Sequence, residues 1–346
     1  GGHKGKPAAV NLGLSRCRGE LVFTIDSDVI LEPEAIEQAV AAFQVDPHLA
    51  AATAHLIIDP NLLVEADQDG HVYLDSDDLP ILKSLTLSEK FLAACQFFEY
   101  LQAFRIGRHA EAVRGELFTL SGACAVFRRR VLLEMKGYRG RTVSEDTDAT
   151  LALQRQSDKV GYLPQVRVHL APTISWQTLF SQRVRWQRGE LEVLAVNADL
   201  LGKGTRFWRW SMPRRLQNDH ALALLRLVWG FLLPLFPFLG YSMGLITQAV
   251  ALMYAIYIAT DTLLLLVAWP ICAPAERRLL RVSALYLPWL PLYRMIVFLF
   301  RLSGILRTLS ERPQWTTQAE WVERVRIPGS SHLKSWLGSV LKTWAD

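Results

Sequence analysis

The sequence contains little cysteine and no repeated motif. Its 346 residues include four cysteines, Cys17, Cys95, Cys124 and Cys272, which lie far apart. They form neither a CxxC pair nor a cluster with histidine, so the sequence indicates neither a disulfide-stapled scaffold nor a zinc site. The absence of repeats and of strongly biased composition excludes collagen-like and solenoid architectures.

Charged residues are also scarce. They make up 21% of the chain, whereas hydrophobic residues make up 51%, which excludes an intrinsically disordered protein. The formal net charge of +5 is compatible with nucleic-acid binding when taken alone. However, the basic residues flank apolar segments, so membrane topology explains them and we expect no nucleic-acid partner.

Two long stretches carry no charge at all, Leu227–Thr260 and Thr262–Ala275. Because one membrane helix needs about 20 apolar residues, these stretches predict two transmembrane helices, at roughly 222–243 and 245–270. The alternative is a buried apolar hairpin, which is disfavoured because core helices of this length are seldom apolar on every face. We expect Asp261 to face a neighbouring helix or a polar path rather than lipid.

Basic residues precede and follow the predicted hairpin: Arg206, Arg209, Arg214, Arg215, Arg277, Arg278 and Arg281. Their placement predicts that both ends lie in the cytoplasm. The chain is therefore predicted to be a multi-pass protein of the cell's inner (cytoplasmic) membrane, with its first 200 residues in the cytoplasm. The third apolar stretch, Ala284–Phe300, contains a central Arg294 and two prolines, which favours an interfacial or re-entrant segment.

The first 200 residues have the pattern of an α/β domain. The predicted order is a strand over 20–25, a helix from Pro33 to about Gln44, a strand over 49–58, an acidic surface insertion over 59–80, and a helix over 88–106. Strand, helix and strand in this order favour parallel pairing, with the functional loops at the carboxyl ends of the strands.

Asp26 and Asp28 directly follow the first predicted strand. Two carboxylates one residue apart at such a turn can share a divalent cation that bridges a nucleotide diphosphate. The alternative is ordinary capping and turn chemistry before a helix.

A second acidic cluster, Ser144–Asp148, opens a predicted helix that continues to Arg155. It is interpreted either as helix capping with favourable acidic residues in the first turn, or as a site whose carboxylate takes a proton from a sugar hydroxyl. The helix terminus lowers a carboxylate pKa and burial beside other acids raises it, and the sequence leaves that balance open.

The third candidate motif contains Gln182, Arg183, Arg185 and Trp186 and lies on a predicted amphipathic helix. Spacings of three and four place Gln182, Arg185 and Trp186 on one helix face. An arginine can clamp a phosphate, and a tryptophan offers a flat face to a sugar ring. An interfacial helix with Arg and Trp at the lipid headgroups is an equally good interpretation.

Taken together and in this order, these segments resemble the processive, membrane-embedded family-2 glycosyltransferases, such as cellulose, hyaluronan, chitin-oligosaccharide and poly-N-acetylglucosamine synthases. Lys6 within Gly5–Asn11 resembles the family's nucleotide-side lysine segment, and Ser121-Gly122-Ala123 resembles its loop beside the acceptor terminus. The resemblance covers roughly residues 1–300.

The resemblance implies a nucleotide-diphospho-sugar transferase (GT-A) fold followed by membrane segments. The implied organisation is a cytoplasmic GT-A domain over 1–175, interfacial amphipathic helices over 176–220, two transmembrane helices over 221–270, and a cytoplasmic loop, third apolar segment and basic tail over 271–346.

It also implies inverting transfer of a sugar from a UDP-linked donor to a growing polysaccharide, with Asp146 as the base and Mg²⁺ or Mn²⁺ on Asp26 and Asp28. The implied donor and diphosphate residues are Lys6, Asp26, Asp28, Arg183 and Arg185. The implied acceptor residues are Ser121, Gly122, Glu145, Gln182 and Trp186.

Two departures from the family pattern matter. Ser144 stands where the family usually has threonine, and the family's opening strand and nucleobase-binding aspartates would lie upstream of residue 1, so we expect an amino-terminal truncation. The 98–108 segment and the 59–80 insertion favour an exopolysaccharide subgroup, the one linked to exosortase loci. Such a subgroup implies polysaccharide export partners. Two alternatives stay open: a non-processive transferase acting on a lipid acceptor, and a membrane scaffold of the same fold without catalysis.

Overall fold

The computed structural model describes residues 5–63, 85–216, 228, 230 and 232–310. The chain divides into two compact units. The first unit comprises the described residues up to Asp199 together with those from Phe300 onwards, and the second comprises those from Leu200 to Leu299.

A five-stranded mixed sheet forms the centre of the first unit, in the spatial order β1-β4-β3-β5-β2. Its strands are β1 (Leu21–Ile25), β2 (Val29–Leu31), β3 (Leu49–Ile58), β4 (Cys124–Arg128) and β5 (Lys159–Leu170). All ten residues of β3 are buried. A strand covered on both faces needs no alternation of polar and apolar residues, which explains why eight of the ten residues of β3 are apolar, with Thr53 and His55 as the exceptions.

Strand pairing confirms the predicted α/β class and corrects the predicted neighbours. β3 pairs with β5 in parallel, but β1 and β3 are not adjacent, because β4 lies between them and is antiparallel to both. The predicted strand over 49–58 has the observed bounds. A local pattern of strand, helix and strand cannot reveal that a strand from about 70 residues later in the chain inserts between the first two.

The helices of the first unit cover both faces of this sheet. They are α1 (Gly5–Arg16), α2 (Ala35–Val45), α3 (Leu87–Leu101), α4 (His109–Val113), α5 (Arg129–Glu134), α6 (Glu145–Arg155) and α7 (Trp176–Val196). A π-helical turn, Gln102–Arg108, joins α3 to α4, where the sequence predicts one continuous helix. The predicted insertion over 59–80 lies mostly outside the described residues. In the part of the insertion that the structure describes, Pro60–Leu63 form a 3₁₀ turn.

The second unit is helical. It contains a π-helical turn (Phe207–Ser211), α8 (Met212–Leu216), a 3₁₀ helix (Leu233–Leu239), α9 (Met243–Ala268), α10 (Pro274–Ser283) and the beginning of α11 (Leu290–Ser310). Two stretches, Met243–Ile271 and Pro274–Thr308, are long and apolar enough to cross a membrane, judged by length and composition. The predicted span at 222–243 lies largely outside the described residues, and the predicted topology stays a prediction.

Asp261 forms an ion pair inside the second unit. Its Oδ1 lies 2.6 Å from Nη1 of Arg294, and the Asp261 side chain is 1% exposed. The prediction that Asp261 faces a neighbouring helix is confirmed. The pair also explains how Arg294 can occupy an otherwise apolar segment, because each charge neutralises the other.

His169 on β5 is buried between two carboxylates at one end of the sheet. Its Nε2 lies 3.2 Å from Oε1 of Glu32, and its Nδ1 lies 3.1 Å from Oδ2 of Asp59. Burial alone lowers a histidine pKa, but the two carboxylates outweigh burial and raise the pKa of His169 to about 9. The imidazolium therefore links the residues that follow β2 and β3 to β5.

This linkage predicts a pH-dependent contribution to stability. A raised folded-state pKa means that the contribution is complete below the unfolded-state pKa of about 6.5 and is lost as the pH rises through about 9. Replacing His169 (His169→Gln) should therefore lower the melting temperature most near neutral and acidic pH. The gap to the wild type, measured by thermal unfolding across this range, should narrow at alkaline pH. A gap that is constant across the range would contradict the assignment.

Candidate active site

The ammonium group of Lys6 lies at the centre of an acidic cluster. Its Nζ lies 2.5 Å from Oδ1 of Asp26 and 3.3 Å from Oε1 of Glu145, and it donates a hydrogen bond to the carbonyl of Gly122 at 3.2 Å. These partners come from the turn after β1, the start of α6 and the loop before β4. Lys6 therefore connects three segments that the sequence singled out separately.

Asp146 is held beside this cluster by backbone amides. Its Oδ2 accepts a hydrogen bond from the Gly122 N–H at 2.9 Å, and its Oδ1 accepts one from the Thr147 N–H at 2.7 Å. A carboxylate oxygen has two lone pairs, so these bonds fix the orientation of the group and leave positions at which it can accept a proton.

Gly122 has no room for a side chain. A Cβ added there would lie 2.9 Å from Oδ2 of Asp146 and 3.2 Å from Nζ of Lys6. The loop is fixed in place because the Ser121 N–H donates to Oγ1 of Thr53 at 3.0 Å and the Asp26 N–H donates to the Ala123 carbonyl at 3.0 Å. The absence of a Cβ thus permits Asp146 and Lys6 to approach the backbone closely.

Burial and charge shift two ionisable groups in the cluster. Burial, followed by the neighbouring charge of Asp146, raises the pKa of Glu145, although Lys6 opposes this. Burial by itself lowers the pKa of Lys6, but the surrounding carboxylates, with Glu145 the largest, outweigh it and raise that pKa. The sequence left open whether the helix terminus or burial would dominate the pKa of these carboxylates. For Glu145, burial and the like charge of Asp146 outweigh the helix terminus, and the pKa is raised.

Asp26 and Asp28 offer the hard oxygen ligands that Mg²⁺ and Mn²⁺ prefer. The Asp28 side chain is exposed and Asp26 is half-buried, so both are accessible. Within the described part of the chain, no group of three or more His, Cys, Asp or Glu residues is arranged to hold a metal ion. The residues fit a divalent ion that takes its other ligands from a bound diphosphate and water, as such Mg²⁺ sites commonly do.

The third motif lies on α7. Arg183 is buried, its Nη2 lies 2.7 Å from Oε2 of Glu99, and its guanidinium lies 4.4 Å from the centre of the Trp186 ring. Gln182, Arg185 and Trp186 are each half-buried. Arg183 thus contacts α3 and the indole of its own helix.

Two contacts fix α7 against the segment that leads into α6. A Cβ at Gly189 would lie 2.0 Å from Oγ of Ser144, so the two segments touch where only glycine fits. Glu192 accepts a hydrogen bond from the Val143 N–H at 3.0 Å and from Arg188 at 2.8 Å. The helix that carries Trp186 is therefore anchored next to the loop that carries Asp146.

Tyr100 follows Glu99 on α3, and its ring stacks on Phe104 with the ring centres 6.0 Å apart. Burial raises the pKa of Tyr100 to about 12, and the charges of Arg183, Glu99, Arg185 and Asp28 also act on it.

The structure thus brings together Lys6, Asp26, Gly122, Glu145 and Asp146 by direct contact. Asp28 lies in the same turn as Asp26, and Gln182, Arg183, Arg185 and Trp186 lie on α7. The sequence patterns did not indicate site roles for Glu99, Tyr100, Gly189 and Glu192. Glu99 and Tyr100 lie in the 98–108 segment, which indicated only a subgroup. Gly189 and Glu192 have no local signal, because their partners Ser144 and Val143 are distant in sequence.

Comparison with known proteins identifies a sequence family for the part of the chain that contains the site. The sequence model described as "Glycosyltransferase like family 2" matches residues 1–189, more than half of the chain. This match confirms the resemblance on which the GT-A prediction rests.

Curated relatives include cellulose synthase 2 of Novacetimonas hansenii, with 35% identity over 39% of this chain and 8% of that protein. The UDP-forming cellulose synthase 1 catalytic subunit of Komagataeibacter xylinus is 30% identical over 37% of this chain and 17% of its own length. The corresponding subunit of Xanthomonas axonopodis pv. citri is 26% identical over 58% of this chain and 24% of its own length. The matched part is thus less than a quarter of each of these relatives.

Among solved structures, a similar one is the mannosyltransferase PcManGT from Pyrobaculum calidifontis in complex with GDP-Man and Mn²⁺. The alignment covers 88% of this chain and 67% of that chain, with a TM-score of 0.49 and 15% identity.

Replacing Gly122 with alanine should impair the site without unfolding the protein. The new Cβ displaces Asp146 and Lys6, and misplacing reacting groups by ~1 Å can cost about a hundredfold in rate. Turnover should fall steeply while the melting temperature changes little. The control is Gly13→Ala on α1, where a Cβ would have no neighbour within 4 Å. Gly122→Ala with more than about half of the wild-type turnover would contradict this geometry.

Proposed function

We infer the activity of this chain from its family, since it belongs to the family described as "Glycosyltransferase like family 2". We propose that it transfers a sugar, with inversion, from a UDP-linked donor to a growing polysaccharide. The observation that carries this proposal is the Asp146 carboxylate, held by the Gly122 N–H beside the cluster of Lys6, Asp26 and Glu145. Two of the relatives are UDP-forming cellulose synthase catalytic subunits, which supports a UDP-linked donor.

In this proposal the donor diphosphate binds next to the turn after β1. Asp26 and Asp28 would hold Mg²⁺ or Mn²⁺, and the ion would supply positive charge to the leaving diphosphate. Lys6 holds Asp26 in place through its ion pair. Arg185, half-buried on α7, would supply a further positive charge toward the diphosphate.

The acceptor would bind between Asp146 and α7. Asp146 takes the proton of the acceptor hydroxyl, whose oxygen then attacks the anomeric carbon as the bond to the diphosphate breaks. Gly122 and Thr147 hold the carboxylate through their N–H groups during this step. The indole of Trp186 would support the acceptor sugar, and Ser121, Glu145 and Gln182 would complete the acceptor side.

We further propose that the protein acts in the inner membrane, with its first unit in the cytoplasm, and that its product belongs to an exopolysaccharide handed to export partners. Two stretches that are long and apolar enough to cross a membrane support this placement. The test is a panel of radiolabelled nucleotide sugars with the full chain in lipid, scoring nucleotide release and product length together. Long products support a synthase, single additions support the glycolipid alternative, and no turnover with any donor supports a silent scaffold.

Metal dependence tests Asp26 and Asp28. Transfer should require Mg²⁺ or Mn²⁺, and Asp28→Asn should lower turnover by orders of magnitude in a folded protein, because one carboxylate ligand is lost. Asp199→Asn, which removes an exposed carboxylate from the 3₁₀ turn Ala198–Leu200, is the matched control and should keep wild-type turnover. Full activity of the wild type in excess EDTA would refute the metal assignment.

The general-base assignment predicts a specific effect of Asp146→Asn. Nucleotide-sugar binding should survive, while turnover falls by roughly 10²–10⁴, the usual contribution of general-base catalysis. Trp186→Ala should instead weaken acceptor use or shorten the product. Asp158→Asn, beyond the end of α6, is the matched control.

A role of Asp146 limited to the helix terminus predicts a different result. Asp146→Asn would then change stability by about 1 kcal/mol or less and leave turnover nearly normal. Binding, melting temperature and turnover are measured on the same variants. Turnover of Asp146→Asn above about a tenth of the wild-type rate would refute the catalytic assignment.

A further inference from the structure

The guanidinium of Arg183 is enclosed between a carboxylate and an aromatic ring. Only 6% of the Arg183 side chain is exposed, and Glu99 lies 2.7 Å from its Nη2. The guanidinium carbon lies 4.4 Å from the Trp186 ring centre, a distance typical of a cation–π contact. Arg183 therefore joins α3, through Glu99, to the indole three residues further along α7.

This arrangement leaves Arg183 poorly placed to bind a diphosphate itself. A buried guanidinium has lost most of its hydration and depends on its carboxylate partner for compensation. An incoming diphosphate would have to displace Glu99. Arg185 on the same helix is more exposed than Arg183, so the diphosphate role expected of both arginines is better assigned to Arg185.

The contact also determines which part of Trp186 can meet a sugar. The Arg183 guanidinium lies over the indole and covers part of its surface. A sugar can therefore stack only on the part of the indole that the guanidinium leaves uncovered. Without Glu99 the buried cation would lose the carboxylate that lies 2.7 Å from its Nη2, and we expect the guanidinium to move from its place over the indole. The indole would then lose the group that packs against it, and its orientation would no longer be fixed.

We propose that Glu99 is a positioning residue which, through Arg183, holds the indole of Trp186 in the orientation that accepts the acceptor sugar. This proposal rests on the proposed glycosyltransferase function. Glu99 touches neither substrate nor the reacting atoms in this role. Its effect is on acceptor binding and leaves donor binding unchanged.

The experiment compares Glu99→Ala and Glu99→Gln in the full chain in lipid nanodiscs. Glu99→Ala should raise the acceptor KM roughly tenfold and shorten the product, in keeping with the worth of a desolvated cation–π contact. Glu99→Gln keeps an oxygen that can accept the hydrogen bond and should lie between Glu99→Ala and the wild type. The donor KM should stay within about twofold of the wild type in both.

The matched control is Glu111→Gln. Glu111 pairs with Arg108 at 3.0 Å, and that guanidinium lies 5.9 Å from the centre of the Phe104 ring. The control thus removes the same kind of charge from the same kind of contact on a neighbouring segment. Its acceptor KM and product length should equal those of the wild type.

A readout independent of turnover follows the indole directly. The protein is labelled with 5-fluorotryptophan, and the ¹⁹F resonance of Trp186 is assigned by its loss in Trp186→Phe. That resonance should shift in Glu99→Ala and in Arg183→Lys, which keeps the charge but lacks the flat guanidinium, and should be unchanged in Glu111→Gln.

The two proposals fail in different ways. An unchanged Trp186 resonance together with an unchanged acceptor KM in folded Glu99→Ala would overturn the positioning role. A large rise in donor KM in Arg183→Lys, with a normal acceptor KM, would overturn it in favour of a diphosphate contact. If the wild type turned over no nucleotide sugar, the proposed function would fail, and an unchanged resonance in folded Glu99→Ala would still refute the proposal that Glu99 orients the indole through Arg183.

Discussion

The contact of one ammonium group with three segments is the constraint on which the candidate site depends. Lys6 lies between Asp26 and Glu145 and donates to the Gly122 carbonyl. Asp146 adds a third negative charge that acts on Lys6. Carboxylates at such distances repel one another unless a cation lies among them. Lys6 therefore makes it possible for three acidic side chains from two distant parts of the chain, Asp26 and the adjacent Glu145 and Asp146, to share one site.

The same rule governs the supports around the site. Arg188 and Glu192 are both almost fully buried and pair at 2.8 Å. Removing one partner of such a pair costs about 3–5 kcal/mol, because the other charge is left without compensation. Glu192 also binds the Val143 N–H, next to Ser144. The position of α7 relative to the loop of Asp146 is thus set by a charge pair that takes no part in the proposed chemistry.

The sequence predicts those parts of the site whose chemistry is local. Asp26 and Asp28 stand at a turn after an apolar strand, and Asp146 stands in the first turn of a helix, so residue type and position indicated them. The supporting contacts cannot be found in this way. Glu99 and Arg183 are 84 residues apart in the chain. In the sequence Gly189 is an ordinary helical glycine, and only the contact with Ser144 in the structure shows why a side chain does not fit there. Helical spacing likewise grouped Gln182, Arg185 and Trp186, whereas a partner on another helix determines where Arg183 points.

The ion pair between Asp261 and Arg294 removes one obstacle to burying the last apolar segment, 284–300, in lipid. The charge of Arg294 argued against burying that segment in lipid, but a neutralised charge no longer does so. Topology then depends on what lies at each end of the segment. The basic residues of α10, which precedes the segment, favour a cytoplasmic location for the beginning of the segment.

Residues after the segment pack within the first unit. Arg301 donates to Gln187 on α7 at 2.6 Å, and a Cβ at Gly304 would lie 3.0 Å from the Val184 carbonyl. If the first unit is cytoplasmic, as proposed, the segment from 284 to 300 begins and ends on the same side of the membrane. A single crossing would place its two ends on opposite sides. These contacts therefore support the re-entrant or interfacial interpretation, even though length and composition alone would allow a full span.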